Sequence, residues 1–409
     1  MRKWISLMCA AGIAAAALMG CSGAETAGKN ETKAAAEAAA GESAESLSSE
    51  ETKKEEDKKE LTKIVVSEFR GICWAAWEED IKLRTPAAMD KYRRKYAKEI
   101  VFYQFQQYLF QVQWEKLKTY ANDNGIKIIG DIPIYVAFDS SDAWANPELF
   151  QFDENCEPVA VAGCPPDAFS ATGQLWGNPL YDWKYHKKTN YEWWMERFKT
   201  QFLLSDIVRI DHFRGLESYW EIPADSETAL NGKWVDGPKD EFFEVLIKTF
   251  GEEPPIIAED LGIITDDVRA LRDKFGLPGM KILQFAFEDE DSNYLPYNQP
   301  YNCICYTGTH DNDTTTGWYA TASEKARDKV RRYMNTDASQ VSWDFIRTCF
   351  GSPARFAIIP VQDLFCQGSD CRMNTPGKAD GNWAYRMKKE LLTSDVAKRL
   401  YDVTKLYGR

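Results

Sequence analysis

The 409-residue chain holds only three histidines, His186, His212 and His310. It has ten cysteines, but no pair has the spacing of a zinc site, and with imidazoles so scarce no metal is expected. Nor do these cysteines make a disulfide framework in a chain this long. Cys156/Cys164 and Cys366/Cys371 are loosely spaced, and Cys303/Cys305 alternate on a strand-like run, so buried free thiols are the expectation. Positive charge is also short: 50 Lys and Arg face 63 Asp and Glu, for a net charge of −13 and a pI near 5.0. Without a basic stripe, a nucleic-acid partner is disfavoured, because neutralising a phosphate backbone needs one. An uncharged or mixed substrate fits better. Residues 22–60 contain no aromatic side chain, so they cannot bury enough apolar surface to offset chain entropy and read as a tether. Its last eight residues, KKEEDKKE, read as a solvated spacer.

What precedes the tether is different in kind. Arg2 and Lys3 lead into an apolar run, Trp4 to Leu18, followed by Met19-Gly20-Cys21. A basic end, an apolar core and a small residue before cysteine resemble a bacterial lipoprotein signal over residues 1–21, with Cys21 as the lipidated residue. That resemblance implies export and anchoring on the outer side of the cytoplasmic membrane. A short hydrophobic start is the plainer alternative.

Length alone allows one large α/β barrel or two ordinary domains. After residue 95, helical patterns alternate with short apolar runs, which predicts α/β architecture with parallel strands. The strand candidates are 126–136, 205–211, 255–260, 280–287, 302–311 and 355–365, and four of them run straight into a carboxylate. Helices are expected at 104–124, 191–204, 239–250, 265–275, 322–336 and 340–350. The long stretch between the first two strands exceeds an ordinary βα connection and is expected to fold as an insertion walling a site. Six strands are two short of a closed (β/α)8 barrel.

In a parallel barrel the C-terminal strand ends form the active face. Three of these ends carry chemistry: Arg209-Ile210-Asp211-His212, Glu259-Asp260, and His310-Asp311-Asn312-Asp313. Carboxylates gathered at one rim repel unless neighbours tune them, and tuning separates roles: one held ionised by an arginine can attack, while another keeps a proton for a leaving group. Two such carboxyls make a retaining glycosidase. Singly, each has a plainer reading: Arg209–Asp211 as a structural ion pair, Glu259 or Asp260 as a cap of the next helix, His310 as a core histidine.

Several longer stretches are specific to one family: IIGDIPIYVAFDSSDAW, CPPDAFSATGQLWGNPLYDW, VRIDHFRGLESYWEIPA, IIAEDLG, YTGTHDNDTTTGWY and MNTPGKADGNWAYR. In these the region from about 74 to 386 resembles the 4-α-glucanotransferases (amylomaltases, disproportionating enzymes), relatives of the α-amylases. The resemblance implies a TIM-barrel glycosidase-type fold with an inserted subdomain, Asp211 as nucleophile, Glu259 as general acid/base and Asp311 as the carboxylate steadying a distorted sugar. It also implies supporting roles for Arg209 and His310, and no cofactor. Donor and acceptor would be maltooligosaccharides or longer α-glucans, contacted by Asp167, Gln174, Trp176 and Asn178 from a covering segment over 165–183, with Asn382 opposite. Family members with an aromatic residue at 168 and an acidic one at 171 differ from this chain, which has Ala168 and Ala171.

Full-length members of that family begin with a longer segment supplying the first two barrel strands, and here that segment is expected to be lacking. In its place stand the signal, the tether and a junction, 61–76, whose start resembles that of a solute-binding lipoprotein; the catalytic part is assigned to 77–409. An α-glucan hydrolase and a surface glucan-binding lipoprotein remain as alternatives.

Overall fold

The computed structural model describes residues 72–166, 170–378 and 380–409. The signal with Cys21, the tether, the junction before Ile72, the expected loss of two strands and Asp167 lie outside them. The described chain divides into two compact units. One holds the residues up to Asp211 with Gly215–Pro255, and the other holds His212–Arg214 with Ile256–Arg409.

The first unit opens on a 3-10 turn at Trp74–Ala76, the end of the junction. Its Trp74 indole is buried, 5.1 Å and 6.0 Å between ring centres from Phe138 and Phe152. Three helices follow, α1 (Glu79–Lys82), α2 (Pro86–Lys95) and α3 (Ala97–Asp123). Thr85 starts α2 by accepting the Ala88 amide, and Pro86 takes the first helical position, where no amide is needed. The expected helix at 104–124 is thus α3, starting two turns earlier.

Strands β1 (Ile129–Pro133), β2 (Ala160–Cys164), β3 (Gln174–Pro179) and β4 (Ile207–Asp211) come next, with α4 (Ser141–Ala145), α5 (Trp183–Lys188) and α6 (Glu192–Leu204) among them. β1 and β4 pair in parallel, setting Asp131 opposite Arg209 and Pro133 opposite Asp211. Asp206 fixes this register by accepting the Ile128 amide at 2.7 Å and the Asn122 amide group at 2.9 Å. The end of α6 is held from α3: Lys118 Nζ donates to the Phe202 and Leu203 carbonyls, where a cation also meets the negative end of the helix dipole.

The insertion is present as expected, and its β2 joins a four-stranded antiparallel sheet of order β3-β2-β5-β6. The last two strands, β5 (Ser218–Pro223) and β6 (Lys233–Asp236), are not foreseen in the sequence. Runs of six and four residues show too little period to separate from loop. The unit closes with α7 (Lys239–Phe250). Its core is aromatic, with Trp194 fully buried, stacked on Trp183 at 6.2 Å and edge-on to Phe242 at 5.4 Å. His186 is buried there too, and burial pushes its imidazole down to about 4 against the Leu149 carbonyl. Trp183 and Trp194 thus serve packing, not a site.

The second unit contains β7 (Ile256–Ala258), α8 (Asp266–Lys274), β8 (Gly279–Ile282), β9 (Cys303–Tyr306), α9 (Thr315–Thr321), α10 (Glu324–Met334), α11 (Val341–Phe350), β10 (Phe356–Ile358), α12 (Val361–Leu364) and α13 (Ser394–Leu406). Strands β8, β9 and β10 pair in parallel in that order, and the Ala258 amide ties β7 to the Pro278 carbonyl just before β8. All six expected parallel strands are therefore present. Cys303, Cys305 and Cys349 lie in the core with Phe287 and Phe345 as free thiols, and burial pushes the Cys303 thiol up to about 12.

A buried ion pair braces β7 against α8. Asp260 accepts from Arg272 and, through Oδ1, from the Met280 amide at 2.6 Å. Gly279 must be glycine beside it, since a Cβ there would lie 2.5 Å from Asp260 Oδ2 and 2.8 Å from Arg272 Nη1. Gly279→Ala is expected to cost ~1–3 kcal/mol as overpacking, read as a lowered midpoint in thermal unfolding followed by circular dichroism.

Candidate active site

Strand alternation puts Arg209 and Asp211 on one face of β4, with buried Val208 and Ile210 on the other. The β1 register adds Asp131 to the same face. Arg209 Nη2 then bridges two carboxylates, 2.6 Å from Asp131 Oδ2 and 3.0 Å from Asp211 Oδ1. The guanidinium is mostly buried while both acids are nearly half exposed. The pair leaves Asp211 open to a reactant, as a carboxylate with a chemical role needs to be. Asp131 was not singled out in the sequence. It lies inside a strand run rather than at its end, and only the register shows that it faces Arg209.

His212 follows with a left-handed backbone, φ 54°, and its amide donates to Glu259 Oε2 at 2.7 Å. Oε1 of the same carboxylate accepts the Leu261 amide at 2.9 Å. Glu259 is thus held on both oxygens by main-chain donors at the end of β7. Neither it nor Asp260 caps α8, whose N-cap is Thr265. Burial, with the Arg214 cation second, pushes the His212 imidazole down to about 3, so this ring stays neutral at ordinary pH.

Asp311 sits in the loop after β9. His310 Nε2 lies 3.3 Å from Asp311 Oδ2 and is one-third exposed, so it is no core histidine. Two side chains from the 372–374 stretch latch the same residue: Asn374 Nδ2 donates to Oδ1 at 2.6 Å and Arg372 Nη2 to the backbone carbonyl at 2.6 Å. Trp383 lies over His310, ring centres 5.2 Å apart. Asn382, expected at the substrate, is engaged within its own loop, accepting the Thr375 amide and donating to the Lys378 carbonyl. Arg372, Asn374 and Trp383 were missed because their partners lie 61, 63 and 73 positions away. Asn374→Ala frees Asp311 Oδ1 and is expected to lower kcat about tenfold, the worth of one hydrogen bond to a charged group, with the unfolding midpoint little changed.

The covering segment is a strand rather than a loop over 174–179, paired with β2. Trp176 and Asn178 line a cavity of about 550 Å³ together with Cys73, Phe138, Asp139 and Glu157. Gln174 Oε1 accepts the Trp176 indole N–H at 3.1 Å, and Asn178 Nδ2 donates to the Val136 carbonyl at 2.9 Å. Gln174 therefore positions the indole, and Asn178 pins the segment to the loop after β1.

One unit thus offers an arginine-bridged aspartate at a strand end, and the other an amide-held glutamate and a latched His-Asp pair, the residue types that glycosidase chemistry on an α/β fold uses. Comparison with known proteins narrows this. The 4-alpha-glucanotransferase family model matches residues 32–393. The 4-alpha-glucanotransferase of Clostridium butyricum is 47% identical over 346 residues, covering 84% of this chain and 71% of that protein. Its counterpart from Synechocystis sp. is 49% identical over 343 residues, covering 83% and 68%. Among solved structures, amylomaltase from Streptococcus agalactiae in complex with acarbose superposes with a TM-score of 0.85 at 39% identity, covering 89% of this chain and 74% of that one. The chain belongs to the 4-alpha-glucanotransferase family, and its fold is that of amylomaltase, of (β/α)8 glycosidase type. Among the described residues no helix is long and apolar enough to cross a membrane.

Proposed function

We propose that this chain is a 4-α-glucanotransferase that moves α-1,4-glucan segments between maltooligosaccharides by retaining double displacement. In the first step an Asp211 oxygen attacks the anomeric carbon, the glycosidic C–O bond breaks, and the leaving 4-oxygen takes the Glu259 proton. In the second, Glu259 removes the proton of an incoming 4-hydroxyl, whose oxygen displaces Asp211 and restores the α configuration. Arg209 orients Asp211, Asp311 with His310 steadies the distorted ring, and Trp176 offers a stacking face.

The observation that carries this reading is the Arg209 bridge, which presents a nearly half-exposed Asp211 at the end of a parallel strand. Maltotriose is the test: glucose with lengthened oligosaccharides supports transfer, glucose and maltose alone mean hydrolysis, and binding without turnover, unchanged in Asp211→Asn, sinks the enzyme reading.

We further propose that Cys21 carries a lipid anchor and that residues 22–60 and the junction 61–76 space the catalytic part, 77–409, from the membrane. The basic end, apolar run and Gly20-Cys21 support this. Cys21→Ser is expected to release the chain from the membrane fraction; equal partition of the variant and the parent refutes the anchor.

A further inference from the structure

Of the strand runs that meet a carboxylate, that of 355–365 plays no part in the reaction proposed above. Its acid is Asp363, on α12 just after β10. The side chain is fully buried, and the donors it accepts are neutral. Oδ2 takes the Thr307 hydroxyl at 2.6 Å and the Thr315 hydroxyl at 2.7 Å, while Oδ1 takes the Thr315 amide at 2.8 Å. Burial, with the like charge of Asp313 added, pushes this carboxyl up. For stability alone such an acid is a poor choice, since a well-packed apolar side chain of similar volume carries no desolvation cost.

What the three donors share is their place. Thr307 follows the last residue of β9 and Thr315 is the first of α9, so one carboxylate ties together both ends of the loop that carries His310 and Asp311. Inside the loop the Thr309 amide donates to Asn312 Oδ1 at 2.9 Å and the Asp311 amide to Thr309 Oγ1 at 3.3 Å. These short-range bonds leave the loop little freedom once its ends are held. The other segment at Asp311 is tied to the same place. Gln362, beside Asp363, donates to the Cys371 carbonyl at 3.3 Å, and Ser369 Oγ donates to Asp313 Oδ2 at 2.6 Å. The Asn374 amide then meets the His310 carbonyl at 3.1 Å. Helix α12 is the common anchor of the two segments that meet at Asp311.

We propose that Asp363 is a positioning residue for the glycosyl transfer: it closes the 307–315 loop so that His310 and Asp311 are held where the distorted sugar needs them. This rests on the role given to Asp311 above. Being fully buried, Asp363 does not touch the sugar and acts only through its hydrogen bonds. Geometry, not charge, is then what the loop requires. An amide in the same place can accept the Thr315 amide through its oxygen and donate its two N–H bonds to the two hydroxyls. Asp363→Asn is therefore expected to keep the clamp, and Asp363→Ala to remove it.

Transfer from maltotriose and backbone hydrogen exchange, both measured on the full chain, test this together. Asp363→Ala should lower kcat on the order of 100-fold, the cost of a ~1 Å misplacement. KM should stay within about twofold, because Asp311 acts on the distorted sugar and not on the bound one. Asp363→Asn should keep kcat within about threefold of the parent. Exchange read by mass spectrometry should rise over 307–315 in Asp363→Ala, stay at the parent level over 266–274, and be unchanged throughout in Asp363→Asn. If Asp363→Ala does not fold, Thr307→Val removes one of the donors and carries the same measurements, with about tenfold lost in kcat. An unaltered kcat in folded Asp363→Ala overturns the proposal. So does exchange raised equally in every peptide, the mark of a merely structural role, or an Asp363→Asn as impaired as Asp363→Ala. A parent that leaves maltotriose untouched sinks the glucanotransferase reading instead, and the exchange pattern still decides whether Asp363 holds the loop.

Discussion

Asp211→Asn is expected to lower kcat for maltotriose transfer on the order of 10⁴-fold, ~5 kcal/mol of barrier at 1.36 kcal/mol per decade. The substitution is close to isosteric. Its carbonyl oxygen can still accept from Arg209 Nη2, which lies 3.0 Å from Asp211 Oδ1, so the strand end is kept. What disappears is the anionic oxygen able to form the glycosyl ester, and a neutral amide cannot replace it. KM should change little, because glucan binding rests on the walls and not on the nucleophile. A thermal midpoint near that of the parent, measured on the same preparation, separates this from unfolding. Residual transfer within tenfold of the parent would remove Asp211 from the mechanism.

Arg272→Met is the largest expected effect on stability, ~3–5 kcal/mol, because it leaves the Asp260 charge buried without its partner. Both side chains are almost fully enclosed. Burial pushes the Asp260 carboxyl up, against the Met280 amide and the Arg272 charge. Burial also opposes the guanidinium charge, but Asp260 and Asp273 more than offset it. Both pKa values rise, which disfavours charge on the acid and favours it on the guanidinium, because burial outweighs pairing for the acid only; the pair is ionised, since both Asp260 oxygens accept donors.

The sign with pH follows. An acid whose folded pKa lies above its unfolded value takes up a proton on folding, so its contribution falls as pH rises through that interval. Without Arg272 the rise is larger. The variant's deficit in thermal midpoint should therefore be greater at neutral pH than in mild acid. A deficit independent of pH would show that packing, and not the carboxylate, is what Arg272 serves.

Much of this architecture can be read from residue patterns. The six parallel strands are apolar runs bounded by turn residues, and β4, β7 and β9 each lead to one of the three carboxylates proposed to carry the chemistry. The helices follow from their period, with α7 in place to the residue. What escapes is whatever depends on register or on distant loops. Asp131 is an unremarked acid until β1 lies beside β4. Asn374, Arg372 and Trp383 have no local pattern that aims them at His310 and Asp311. Asn382 has the chemistry of a substrate contact, yet its amide stays within its own loop. The β5–β6 hairpin is too short to announce itself, and it is stabilised by β2 rather than by its own propensity.

The central claim is a covalent intermediate on Asp211. Mixing the Glu259→Gln variant with α-maltotriosyl fluoride, quenching in acid and mapping peptides by mass spectrometry tests it directly, because fluoride leaves without a proton from Glu259 while loss of the base slows the second step and lets the ester accumulate. A glycosyl adduct on the peptide spanning Arg209 to Gly215, located at Asp211 and absent in Asp211→Asn, is the predicted result. An adduct at another residue, or turnover through no covalent species, would contradict it.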